Sequence, residues 1–133
     1  GKRQARAYRY VAKTTRSVLA ACDEITSSTM AARDSGKITV AQENAILLSV
    51  KRVLVADREA NAMIEPLATL DPKTKLDLLK LVSPILTAVQ DAIDKDVTGI
   101  KDQALKTKIT NALSGIKISV EAMLLILKSG GGV

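Results

Sequence analysis

The chain has 133 residues, 47% of them apolar and only 2% aromatic, with no Trp, no Phe and no His, and a formal net charge of +6. That length is normal for one domain and sufficient to bury one core without disulfides or metal. Without His the chain lacks the commonest general base and metal ligand, and with it any Ser-His or Cys-His nucleophile pair. Cys22 is the single cysteine, so there is no internal disulfide. The simplest expectation is a reducing, cytoplasmic setting.

The charge is confined. Residues 1–16 carry Lys2, Arg3, Arg6, Arg9, Lys13 and Arg16 and no acidic residue. Taking these six from the 20 basic residues leaves 14, which match the 14 acidic ones. The body of the chain is neutral.

The first helix is predicted from about Gln4 to Arg33. Val11, Val18, Ile25 and Ala32 recur every seven residues, beside a second row of Tyr8, Thr15, Cys22 and Thr29, and together they make one core-facing stripe. Asp34-Ser35-Gly36 supplies the stop. Thr39 with Gln42 three residues on forms a capping box that opens a second helix, Val40 to about Glu65. Its stripe is Ile46, Val50, Val53, Ala60 and Ile64. Asp57 reads as a position flanking the core and reaching water. Pro66 closes the helix.

Asp71-Pro72 opens the third helix as a cap followed by proline in the first turn. Its inward stripe reads as Leu76, Leu79, Val82, Leu86, Val89 and Ile93, and a kink or short break is predicted at Ser83-Pro84 because proline removes a backbone bond. Thr98-Gly99 marks a turn. The fourth helix is predicted from about Lys101 to Lys128, with Leu105, Ile109, Leu113, Ile116, Val120, Met123 and Leu127 inward.

Similar helix lengths and short connections predict an all-α, four-helix up-down bundle with antiparallel neighbours, as one domain over residues 1–133. The ends, 1–3 and 129–133, are predicted to be flexible. The longest unbroken apolar run is Ala122 to Leu127, far short of the roughly 20 residues of a membrane span. No transmembrane segment is expected on that ground.

No motif proposes catalysis, and the chain reads as a non-enzyme with no cofactor and no small-molecule substrate. Gly36-Lys37 fails as a phosphate loop, since Ala31 and Ile38 stand where glycine and a hydroxyl are required. Asp91, Asp94, Asp96 and Asp102 do not have calcium-loop spacing and read as a solvated acidic end. Cys22, on the core stripe, reads as a buried, unreactive thiol.

One feature carries a functional expectation. At 100° per residue, Lys2, Arg6, Arg9, Lys13 and Arg16 fall within an arc of about 80°, opposite the apolar stripe. Such a ridge concentrates polyanions. The expected function is a non-catalytic binding or adaptor module contacting a polyanion, nucleic acid first, through Lys2, Arg3, Arg6, Arg9, Tyr10, Lys13 and Arg16. Tyr10, nearer the ridge than Tyr8, is placed to stack on a base. The alternative is a self-associating structural or assembly protein. It would use surplus apolar surface: Leu78, Leu81, Ile85 and Ala88 on the third helix, and Leu124 and Leu125 on the fourth.

Overall fold

The computed structural model describes residues 2–129, and of Arg3 only the backbone. Gly1 and residues 130–133, which include most of the predicted flexible tail, lie outside the described residues. Four helices form an up-down bundle: α1 (Lys2–Asp34), α2 (Val40–Ile64), α3 (Pro72–Asp91) and α4 (Gln103–Lys128). Each packs against its two neighbours in a ring, α1 on α2 and α4, α3 on α2 and α4.

The connections follow from local chemistry. Gly36 takes φ +76°, the left-handed conformation that a Cβ disfavours. This lets the Lys37 amide donate back to the Ala32 carbonyl at 2.8 Å, which satisfies one of the orphan carbonyls at the end of α1. At α2 the capping box is complete. The Gln42 amide donates to Thr39 Oγ1 (3.1 Å), and the Thr39 amide donates to Gln42 Oε1 (2.9 Å). Gln42 Nε2 also donates to the Gly99 carbonyl at 3.0 Å, tying the start of α2 to the loop before α4. Asp71 and Asp102 cap α3 and α4 by accepting from the amides of Thr74 and Leu105.

The predicted stripes of α1, α2 and α4 are buried, apart from Tyr8, which is half-buried. Helix three differs. Lys75, Leu78, Val82, Ile85, Ala88 and Val89 face the core, whereas Leu76 is exposed and Leu79, Leu86 and Ile93 are half-buried. Apolar residues on this helix cover an arc of roughly 240°, from Ala88 round through Leu79 to Leu76. Wedged between α2 and α4, the helix buries the Ala88 side of that arc, whereas the predicted stripe follows the Leu76 side. Most of the surface that suggested self-association is consumed in this way: Leu78, Ile85, Ala88 and Leu124 are all core residues.

The chain is not broken at Ser83-Pro84, because α3 runs through Pro84 to Asp91. Pro84 is exposed, which keeps its ring out of the packed interface, and Ser83 Oγ donates to the Leu79 carbonyl at 2.5 Å. The departure from regular helix comes later, as a π-turn over Ala92–Asp96. That wider turn sets Asp96 against α2, where Ser49 Oγ donates to its Oδ2 at 2.6 Å. The acidic end is thus built into the fold. Asp91 pairs with Lys95 (3.8 Å), Asp94 accepts from Gln90 (2.9 Å), and Asp102 pairs with Lys37 (3.7 Å).

Helix α4 is, by length and composition, apolar enough to cross a membrane. Its apolar residues are interspersed with single polar ones, so no long unbroken apolar run marks it. In the bundle, Leu105, Ile109, Leu113, Ile116, Val120, Met123, Leu124 and Leu127 of this helix are core residues.

Candidate polyanion interface

Helix α1 extends two residues further toward the N-terminus than its pattern predicted, so Lys2 joins the same helix as Arg16. The α2–α3 connection holds this end against the bundle. Leu70 is fully buried, and its amide donates to the Gln4 carbonyl at 3.4 Å. The basic residues therefore stand on a packed helix, and Ala7, Val11, Ala12 and Thr15 anchor its inner side.

Lys2, Arg6, Arg9, Lys13 and Arg16 are all exposed. Fourteen residues of helix separate the first from the last, about 21 Å, the rise of roughly six base pairs of duplex. Among the described residues, none of the five lies within 4.0 Å of a carboxylate. Three of the ion pairs that do form gather toward the opposite end of the bundle: Arg33–Glu43 at 3.4 Å, Lys37–Asp102 and Lys95–Asp91. The positive stretch stops where exposed Asp23 and Glu24 follow on the outer side of α1. The side chain of Arg3 is not among the described residues.

Tyr10 is 38% exposed. It lies about 40° round the helix from Arg6, four residues away and so adjacent to it on the helix surface. Its ring is available beside the ridge, whereas Tyr8 packs against the core.

At Arg16 the ridge meets α2. A cleft of about 270 Å³ lies between the two helices, lined by Thr15, Arg16 and Leu19 from α1 and by Asp57, Arg58, Asn61, Ala62 and Glu65 from the α2 side. Arg58 adds an exposed cation to the end of the ridge. Asp57 is only 2% exposed, and its Oδ1 has no hydrogen-bond partner among the described residues, which costs about 1–3 kcal/mol relative to a satisfied acceptor. Burial holds its carboxyl up at about 7, because a low-dielectric setting penalises the charged form. Thr15 Oγ1 donates to the Ala12 carbonyl at 2.9 Å and lies 3.3 Å from Asn61 Oδ1.

Asp57 does not reach water as its position suggested but lies in the packed seam, and no motif marks the cleft. The signal for Asp57 was present, since Ile46, Val50, Val53, Asp57, Ala60 and Ile64 keep an unbroken four-three spacing that puts Asp57 inside the packed seam. Cys22 is buried as expected. Comparison with known proteins gives no match: no family model, no curated protein and no solved structure aligns significantly with the chain.

Proposed function

We propose that this bundle is a non-catalytic nucleic-acid-binding module whose contact surface is the outer face of α1. The observation that supports it is the exposure of Lys2, Arg6, Arg9, Lys13 and Arg16 on one helix face with no carboxylate partner among the described residues. Cations that are not neutralised within the fold attract a polyanion over a long range, and phosphate contacts supply affinity without sequence reading. Arg3 joins this surface in the proposal, as does Tyr10 as a stacking platform for an unpaired base.

Five phosphate contacts give a slope of log affinity against log salt of about −4.5 on duplex and about −3.5 on single strands. The test is fluorescence anisotropy with duplex and single-stranded oligonucleotides across a salt series, on the wild type and on a variant carrying Arg6→Gln, Arg9→Gln and Lys13→Gln. Support consists of a slope in that range that becomes shallower by about 2 to 3 in the triple variant. Salt-independent binding, or equal binding by the variant, sinks the proposal.

A second reading, self-association, keeps one specific observation. Gly115, Ile118, Ala122 and Leu125 follow four-three spacing on the outer side of α4, with Ile118 68% and Leu125 71% exposed. Such a seam suits helix pairing. Sedimentation equilibrium on the wild type and on Ile118→Lys decides: a wild type that stays monomeric at high concentration removes this reading.

A further inference from the structure

We infer that a second copy of this chain packs antiparallel on the outer face of α4, about a two-fold axis level with Val120, and that this pairing presents both basic ridges on one face to a single nucleic acid. The inference rests on the self-association reading for its interface and on the nucleic-acid reading for its ligand.

The order of the seam residues selects the partner. Gly115, Ile118, Ala122 and Leu125 alternate small, large, small, large. Reversed about residue 120, Gly115 faces the partner's Leu125, and Ile118 faces the partner's Ala122. Both pairings share that midpoint, so one two-fold axis serves every layer, and each layer holds one large and one small side chain. Facing positions of unequal size interdigitate and fill the space between helices evenly. Parallel pairing would set Gly115 and Ala122 each against its own copy and leave those layers underfilled.

Two features of the single bundle agree with this. Ile118 and Leu125 are the most exposed large apolar side chains among the described residues. Gly115 lies in mid-helix, where glycine costs helix stability relative to alanine. Its φ is not positive, and no atom lies within 4 Å of an added Cβ. Nothing in one bundle calls for glycine there, whereas a facing Leu125 would use the room.

The ring of helices then places the ridges. Two antiparallel helices related by a two-fold have that axis perpendicular to the plane containing both. Each copy's α1 therefore lies on one side of the plane and each α3 on the other. Helix α1 flanks α4 where Ser28 and Ala32 share a cleft with Leu105 and Lys108. Helix α3 flanks it where Lys117 Nζ donates to Gln90 Oε1 at 3.0 Å. The outer face of α1 looks away from α3, so both ridges point along the axis in the same direction. Carrying the α1/α4 register along the helices sets Val120 level with about Arg16. The ridges thus begin near the axis and run outward from it in opposite senses. With neighbouring helices 8–10 Å apart, their centres lie about 35 Å from each other, close to one turn of duplex.

The seam spans only about 15 Å, short of the roughly 1,000 Å² that a stable interface buries. Pairing also gathers like charge, the ridges on one face and exposed Glu121 near its own copy on the α3 flank. The bundle alone therefore pairs weakly. A polyanion that neutralises both ridges strengthens the pairing, and pairing makes the second ridge contact intramolecular.

The test has two arms. In the first, chains carrying Ile118→Cys and Ala122→Cys are mixed under mild oxidation, and Gly115→Cys is likewise mixed with Leu125→Cys. The mixed disulfides should form at least about tenfold faster than like-with-like ones, because a disulfide needs closely apposed Cβ atoms. Faster like-with-like bridges at Ile118→Cys and Leu125→Cys overturn the antiparallel arrangement and leave self-association standing. A wild type that stays monomeric at high concentration and forms no bridge overturns both. In the second arm, anisotropy compares the wild type with Ile118→Asn on duplexes of 8 and 20 base pairs. The wild type should bind the longer duplex at least about tenfold tighter than the variant, the lower part of the range for linked sites, and match it on the shorter one. Equal affinity on both duplexes overturns the shared face. Disulfides of the expected pattern without any duplex binding overturn the ridge reading, and with it the ligand, but not the interface.

Discussion

The carboxylate of Asp57 on α2 raises the pKa of the Cys22 thiol on α1, adding to the larger effect of burial, so that the thiol reaches about 12. Both groups lie at the α1/α2 interface, and neither has more than 2% of its surface exposed. Low dielectric disfavours both charged forms, and a charge on Asp57 makes thiolate formation costlier still. The interface therefore prefers both groups neutral.

Stability should follow the titration of Asp57. Its folded-state pKa, about 7, lies above the ordinary carboxylate value of 3.8. Between those values the folded chain keeps a proton that the unfolded chain has released. Stability is therefore fullest near pH 4 and falls as pH rises toward 7, by up to about 1.4 kcal/mol per pH unit. Asp71 shifts the other way, because the Thr74 amide bonds its carboxylate. Its own contribution is lost only below the ordinary carboxylate range, outside this window. Urea denaturation at pH 4.5, 5.5, 6.5 and 8 should show Asp57→Asn gaining steadily on the wild type and exceeding it at pH 8. A difference that does not change with pH contradicts the assignment.

Cys22 should resist thiol reagents in the folded state. A thiol pKa near 12 rather than 9.0 leaves about a thousandfold less thiolate at pH 8, and the thiolate is the reactive species. Labelling with a disulfide reagent should proceed at the rate of global unfolding and become fast in denaturant. Asp57→Asn should leave the protection largely in place, since burial is the larger cause. Rapid native-state labelling would show that the α1/α2 interface opens.

Lys75 is buried to 2% exposure with no partner for its Nζ among the described residues. Replacing a buried, unpaired polar group by an apolar side chain of similar length is favourable, so Lys75→Met should stabilise the bundle by about 1–3 kcal/mol. The measurement is the urea midpoint at constant slope. A fall in the midpoint would mean that Lys75 has a partner in solution.

Two glycines should respond differently to the same change. At Gly36, with φ +76°, alanine is strained even though no atom lies within 4 Å of the added Cβ, and Gly36→Ala should cost about 1–2 kcal/mol. At Gly99 the Cβ meets only Gln42 Nε2, at 3.5 Å, and Gly99→Ala should change stability by less than about 0.5 kcal/mol. Thermal melts of the two variants side by side provide the check.

Local chemistry by itself determined the elements of this protein. Thr39 with Gln42, Asp71 with Pro72, and Gly36 each fix a helix end through atoms a few residues away, so those boundaries could be read directly. The seven-residue rows of α1, α2 and α4 likewise named their buried faces, because one narrow apolar stripe admits one solution. The outer ridge of α1 was legible for the same reason, since opposite the core a helix face is solvent.

Tertiary packing decided the rest. An apolar arc as wide as that of α3 admits several orientations, and only the positions of α2 and α4 selected the one that exposes Leu76 and buries Lys75. Pro84 does not interrupt the helix, which continues through it with the ring on the solvent side, and the irregular turn comes at Ala92–Asp96, where Ser49 meets Asp96. The cleft at Asp57 belongs to this second class. Its spacing lay in the sequence, but burial and the meeting of Arg16 with Arg58 arise only when two helices are side by side.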